Sequence, residues 1–367
     1  MSIELSYHKI AQVINRRTRF SYPRLMGKNS RLPEHGYGGE INLVELVTDQ
    51  GATGWALGHC DERQKENLIG KKVSDLFDPS VGVISHVAFC ADLALHDLAG
   101  KILGVPVKKM ISESALAEVD CYDGAIYMND ISPDGFPGGI ERIIEDCRYD
   151  YYELGFRKFK IKVGRGGKWM ECEEGLKRDI EVVRAIHKEF PDVPLLVDAN
   201  DMFTVDTAIR FMDAVADCGI YWIEEPFPES IEGFTVLREF LSKKSPTTLI
   251  ADGEAAVCLP LLIALAERGL IDVFLMDTEG YGFTNWRVMM KNVAALGIKA
   301  SPHNWGCKLK TLYSSHLAAA FSEIPTIEGV PDITEGIDFG DYRMTNGMMT
   351  VPDKPGFGME IFWTRRS

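Results

Sequence analysis

No stretch of the 367-residue chain approaches the roughly 18 consecutive apolar residues that a membrane helix needs. The opening residues, MSIELSYHKI, have no apolar core of a secretory signal, so the chain reads as cytoplasmic. Cysteine is sparse: eight residues, scattered singly and without a CxxC pair. That usage fits reduced thiols better than a disulfide framework. Positive charge is in deficit, with a formal net charge of −14. Broad nucleic-acid binding is therefore not expected. An anionic small substrate stays open, because a cationic pocket or a metal overrides the global sign locally. With 46% hydrophobic residues the chain can bury the core of two domains, or of one large barrel with an appendage.

What is present is a repeat of strand and helix patterns. From residue 119 short apolar strands alternate with stretches of helical spacing, such as 171–190 and 205–218. The strands read at 119–127, 158–164, 194–200, 221–226, 247–254, 272–279, 298–304 and 325–330. Eight such units predict an α/β fold, a parallel (β/α)8-type barrel. The pattern fades after residue 330, so imperfect closure is expected at the last unit. Ahead of it, GGEINLVELVTDQGATGWALG (38–58) reads as a hairpin and 86–111 as a helix stopped near Gly104 and Pro106. The expected organisation is an α+β capping domain (1–118), a catalytic barrel (119–330) and a segment (331–367) packing back on the capping domain.

The ionisable residues fall where such a barrel carries its chemistry. Every strand after the first ends in one or two: Lys160 and Lys162, Asp198, Glu224 and Glu225, Asp252 and Glu254, Asp277, His303, and Glu328. Strand C-terminal ends form the functional mouth of a parallel barrel. One carboxylate at a strand end is usually a helix cap, but seven strands in succession call for partners, since uncompensated buried charge is costly. Asp198, Glu224 and either Glu254 or Asp252 lie on consecutive strands and suit a hard cation such as Mg²⁺. In KFKIKVG (158–164), Lys160 and Lys162 share a strand face. Beside a metal and another ammonium, a lysine pKa is expected to fall towards neutrality, making a general base. Across the mouth Asp277 can orient His303 as a second acid/base group.

Together GWALG, ALHDLAGKILGVP, KIKVG, VDAN, WIEEP, DGE and SPHN resemble the enolase superfamily, mandelate racemase subgroup. The resemblance spans nearly the whole chain. It implies one Mg²⁺ per active site on Asp198, Glu224 and Glu254, the Gly-Glu pair favouring Glu254 over Asp252. Lys162 resembles the base of the KxK pair and Lys160 the residue neutralising the substrate carboxylate. Asp277 and His303 resemble the His–Asp dyad, and Glu328 the last-strand glutamate that contacts that carboxylate. Asn200, one alternation beyond Asp198, is assigned to a substrate hydroxyl. The sixth strand has no lysine, unlike the muconate-cycloisomerase and dipeptide-epimerase relatives.

The resemblance implies abstraction of the α-proton of a hydroxy carboxylate through an enediolate. With a β-hydroxyl the result is dehydration of an acid sugar to a 2-keto-3-deoxy acid, the expected lyase activity in carbohydrate catabolism. Without a leaving group it is racemisation or epimerisation of a 2-hydroxy acid, and a non-catalytic ligand-binding barrel is the alternative of another class. Residues 15–36 carry six cations and read as a loop, either solvated or a lid whose arginines, Arg24 among them, bind the substrate. Trp305 reads as a pocket wall. Family habit adds a homo-oligomer, with neither nucleic acid nor membrane as partner.

Overall fold

The computed structural model describes residues 3–132, 138–255 and 258–362; the last five residues of the 331–367 segment therefore lie outside it. Eight parallel strands form the barrel: Glu118–Ile126, Phe159–Lys162, Leu195–Asp198, Ile220–Glu224, Leu249–Asp252, Val273–Phe274, Lys299–Ala300 and Ile327–Gly329. Each of the first seven pairs in parallel with the next, save the last of them, and the eighth pairs with the first. The weak seam lies at the last unit: among the described residues no ladder joins the seventh strand to the eighth. Side chains bridge it instead. The Asn304 backbone N–H donates to Glu328 Oε2 at 2.6 Å and its amide to the Glu328 carbonyl at 3.0 Å.

Helices Ile140–Tyr152, Cys172–Glu189, Val205–Ala214, Ile231–Lys244, Leu259–Glu267, Phe283–Leu296 and Lys308–Ala320 fill the crossovers. Their apolar stripes cover a strand face that is buried throughout, as a parallel sheet requires. Among the described residues no helix is long and apolar enough to cross a membrane.

Ahead of the barrel, Ile10–Met26, Gly36–Thr48 and Thr53–Leu57 form an antiparallel meander. This corrects the reading of 15–36 as a loop: its first half is strand. The helix Asp92–Leu103 packs on Thr53–Leu57 and ends at Gly104, whose φ of +68° is the left-handed cap that glycine adopts without strain. The tail is divided. Ile333–Thr334 pairs with Phe20–Ser21 of the meander, while Met348–Thr350 pairs with Glu118–Asp120 of the first barrel strand.

A buried arginine braces the strand that carries the lysines. Arg165 is fully buried, 2.7 Å from Asp130 and 2.6 Å from Asp179, and donates to the Lys162 carbonyl at 3.2 Å. Removing it would strand two carboxylates in the interior. Arg165→Met is expected to destabilise the protein by roughly 3–5 kcal/mol, read as a lower urea midpoint; an unchanged midpoint would refute the assignment.

Candidate active site

The rim groups meet in one network. Lys160 lies 2.7 Å from Glu224 Oε1, 2.8 Å from Glu328 Oε1 and 3.7 Å from Asp198. Lys162 pairs with Asp198. The two ammoniums share a face because they are two residues apart on a strand, and the register Lys162↔Asp198↔Glu224 brings the carboxylates level with them. Oxygens of Asp198, Glu224 and Glu254 all lie within 4.8 Å of one another. Asp252 stays out of this group: it is buried, neither of its oxygens has a partner among the described residues, and burial with nearby Glu225 pushes its pKa far up. Of the two acids left open by the sequence, Glu254 is the one brought to the triad.

Across the mouth His303 Nδ1 is 2.9 Å from Asp277 Oδ2, and Nε2 is 3.2 Å from Glu254 and 3.9 Å from Glu328. Burial opposes its charge, but Glu254, Glu328 and Asp277 outweigh burial and raise its pKa to about 9. The ring is therefore an imidazolium at neutral pH. Asp277 is held in turn by Lys310 Nζ at 2.9 Å and by the backbone N–H groups of Glu279 and Gly280. Lys310 has no sequence signal, since it reaches the dyad from a crossover helix 33 residues on.

The neighbouring carboxylates set the lysine pKa values. Burial lowers both, but the surrounding carboxylates, Glu224 foremost for Lys160 and Asp198 for Lys162, more than restore them and hold them above the usual lysine range. The same pairs act on the carboxylates. Burial raises Asp198, yet Lys162 and Lys160 bring it down to about 2. Glu224 is dominated by burial and sits near 8 despite Lys160. The donor set fits a hard cation: three carboxylates at or just past the ends of consecutive strands, with Glu254 Oε2 buried and without a partner among the described residues.

The remaining predicted residues fall on both sides. Asn200 is buried, its backbone N–H donates to Asp198, and its side-chain oxygen has no partner among the described residues. Trp305 stacks on Tyr22 at 5.4 Å and tilts against Tyr127 at 4.5 Å. Arg24 is a correction. Its guanidinium is buried on Asp150, with Asp146 at 3.3 Å, and is not available to a substrate. Lys158 pairs with Asp120 at 2.6 Å, at the other end of the strand. Gly124 was missed: a Cβ there would meet Glu328 Oε1 at 2.5 Å, so the first strand must be bare opposite the last.

Residues 142–365 match the Enolase C-terminal domain-like family. A D-galactarolactone cycloisomerase of Agrobacterium fabrum is 26% identical over 85% of this chain and 81% of its own length. A D-xylonate dehydratase of Haloferax volcanii is 26% identical over 87% and 82%. A galacturonate dehydratase from Geobacillus sp., solved as a mutant complexed with Mg, superposes with a TM-score of 0.91 at 31% identity, covering 97% of this chain and 93% of that one.

Proposed function

As the chain belongs to the Enolase C-terminal domain-like family, we propose that it is a Mg²⁺-dependent hydro-lyase that dehydrates an acid sugar to a 2-keto-3-deoxy acid. The observation that carries this reading is the pair of proton-transfer groups at opposite ends of one carboxylate triad: Lys162 on Asp198 and His303 on Glu254. Asp198, Glu224 and Glu254 would hold the metal, which supplies the positive charge that lets three carboxylates and an ionised substrate carboxyl share one site.

Lys160, between Glu224 and Glu328, adds a fixed ammonium for the substrate carboxylate. Lys162 takes the α-proton; its amine becomes available as the Asp198 charge is drawn elsewhere, since Asp198 is the main support of its raised pKa. His303, held as imidazolium by Asp277 and the neighbouring glutamates, gives its proton to the β-hydroxyl. The C–O bond breaks, water leaves, and the enol formed tautomerises to the keto acid. Glu328 fixes Lys160 and the loop at Asn304.

The test is NMR of the protein with Mg²⁺ and pooled acid sugars in D₂O. A 2-keto-3-deoxy product is the expected result. Deuterium entering an α-position without loss of water would replace dehydration by racemisation or epimerisation, and silence across the pool would oppose both.

A further inference from the structure

The capping segment that faces the barrel mouth is richly cationic in sequence, yet its charges are already matched. Arg16 pairs with Glu45 at 2.7 Å, and Arg17 and Arg19 with Glu40. Arg24 is buried on Asp150. Lys28 pairs with Glu34 at 2.9 Å and Arg31 with Asp201 at 3.2 Å. Lys168, beside them, donates to the Arg31 carbonyl at 2.8 Å. What this segment turns towards the site is aromatic and uncharged. His35 lies edge-on to Tyr127 at 4.8 Å and to Trp305 at 5.6 Å. Tyr127 is the same ring that Lys162 approaches at 5.5 Å, so His35 stands one aromatic ring from the proposed base.

The hydrogen bonds of His35 set what it can recognise. Its backbone N–H donates to the Met26 carbonyl at 2.8 Å, fixing the residue against the end of the first meander strand. Its Nδ1 lies 2.9 Å from the Gly27 carbonyl. A carbonyl only accepts, so Nδ1 carries the hydrogen and Nε2 keeps its lone pair. Among the described residues nothing bonds Nε2. Burial lowers the pKa of this imidazole and Lys162 adds to that, against the opposing effects of the Gly27 carbonyl and Glu254, so the neutral ring is favoured. A neutral acceptor takes a hydroxyl. It repels a carboxylate, and no uncommitted cation of residues 15–36 stands by to compensate one.

We propose that His35 accepts a hydrogen bond from a hydroxyl on the part of the substrate distal to its reacting carboxylate, so that the enzyme selects monocarboxylic acid sugars over dicarboxylic ones. The inference rests on the dehydration reading for the identity of the reaction, and on the capping contacts for the choice of substrate. Tyr22 and Tyr127 pack on Trp305, which His35 also meets, and aromatic rings of this kind suit the C–H faces of a sugar chain.

The experiment measures kcat and KM for matched D-hexonates, D-hexuronates and hexarates with Mg²⁺, in the wild type, His35→Phe and His35→Gln. Phe keeps the ring packing and removes the acceptor; Gln retains an acceptor. The expected result is kcat/KM at least about tenfold higher for monocarboxylates. In His35→Phe, KM should rise about tenfold with kcat nearly unchanged, and His35→Gln should recover much of the loss. Equal or better turnover of hexarates would overturn the proposal while leaving the dehydration reading intact, and an unchanged KM in His35→Phe would remove His35 from it. Should no acid be turned over, the dehydration reading fails by itself. Thermal shifts with Mg²⁺ then decide: stabilisation by monocarboxylates and not by hexarates keeps the selectivity, and any other pattern overturns it.

Discussion

Lys162→Ala is expected to lower kcat by about 10²–10⁴-fold, the range of a positioned proton-transfer group, with the fold intact. The side chain is almost wholly buried and ion-pairs with Asp198; its loss leaves that buried carboxylate without its nearest ammonium, a cost that Mg²⁺ held by Asp198 would offset. The measurement must separate chemistry from folding. Circular dichroism and the melting temperature with Mg²⁺ should stay close to wild type, while exchange of the substrate α-proton with solvent deuterium disappears. His303→Asn provides the contrast. Its face of the site delivers a proton to the leaving group, so dehydration should fall while α-exchange through Lys162 persists. Wild-type turnover by Lys162→Ala would end the assignment. Loss of α-exchange in His303→Asn with its retention in Lys162→Ala would reverse the two roles.

The second large effect concerns the triad. Glu224→Gln is expected to weaken Mg²⁺ by more than the roughly 10–100-fold that loss of an outer-shell partner costs, and chelation of the wild type should abolish turnover reversibly. The pKa of Glu224 gives this a pH signature. Burial raises it to about 8, so below that pH the metal-free protein holds a proton there that the metal must displace. Apparent Mg²⁺ affinity should therefore climb as pH rises towards 8 and then level. The sign for stability is opposite. A carboxyl whose folded pKa is raised stabilises the fold below its unfolded value, near 4.5, and loses that contribution as pH rises through about 8. Chelated wild-type protein should thus melt progressively lower from pH 5 to 8, and Glu224→Gln should flatten this slope. Calorimetry of Mg²⁺ binding and of melting across that range reads both. A pH-independent affinity, or a slope unchanged in the variant, would contradict the account.

Much of the architecture is written into local pattern. Strands such as PLLVDAN and YWIEEP carry their apolar run and then their acid in one short stretch, so the element and its chemistry are read together. The meander strand Ile10–Met26 escaped that logic. Its arginines made it look like a lid, although on a half-exposed strand they face acids of the neighbouring strand, Arg16 on Glu45 and Arg17 and Arg19 on Glu40. Recognising them as structural needs the register, and register follows from pairing rather than from composition. Arg24 failed as a substrate ligand for the same reason: its acid, Asp150, is 126 residues away on the first crossover helix.

The sequence by itself determined the barrel, the order of its charges and the parity that puts Lys160 and Lys162 on one face. Those depend on neighbours along the chain, where the two-residue period of a strand is enough. Only the tertiary structure decided that Glu254 and not Asp252 completes the triad, and that Lys310 holds Asp277. It also decided that the lysine pKa values stand high against unshielded carboxylates, and that His35 packs against Tyr127, the ring that Lys162 approaches. Each of these is a distance between groups far apart in sequence. Coulomb energies and hydrogen bonds change sharply or vanish over a few ångströms, and no local pattern carries that information.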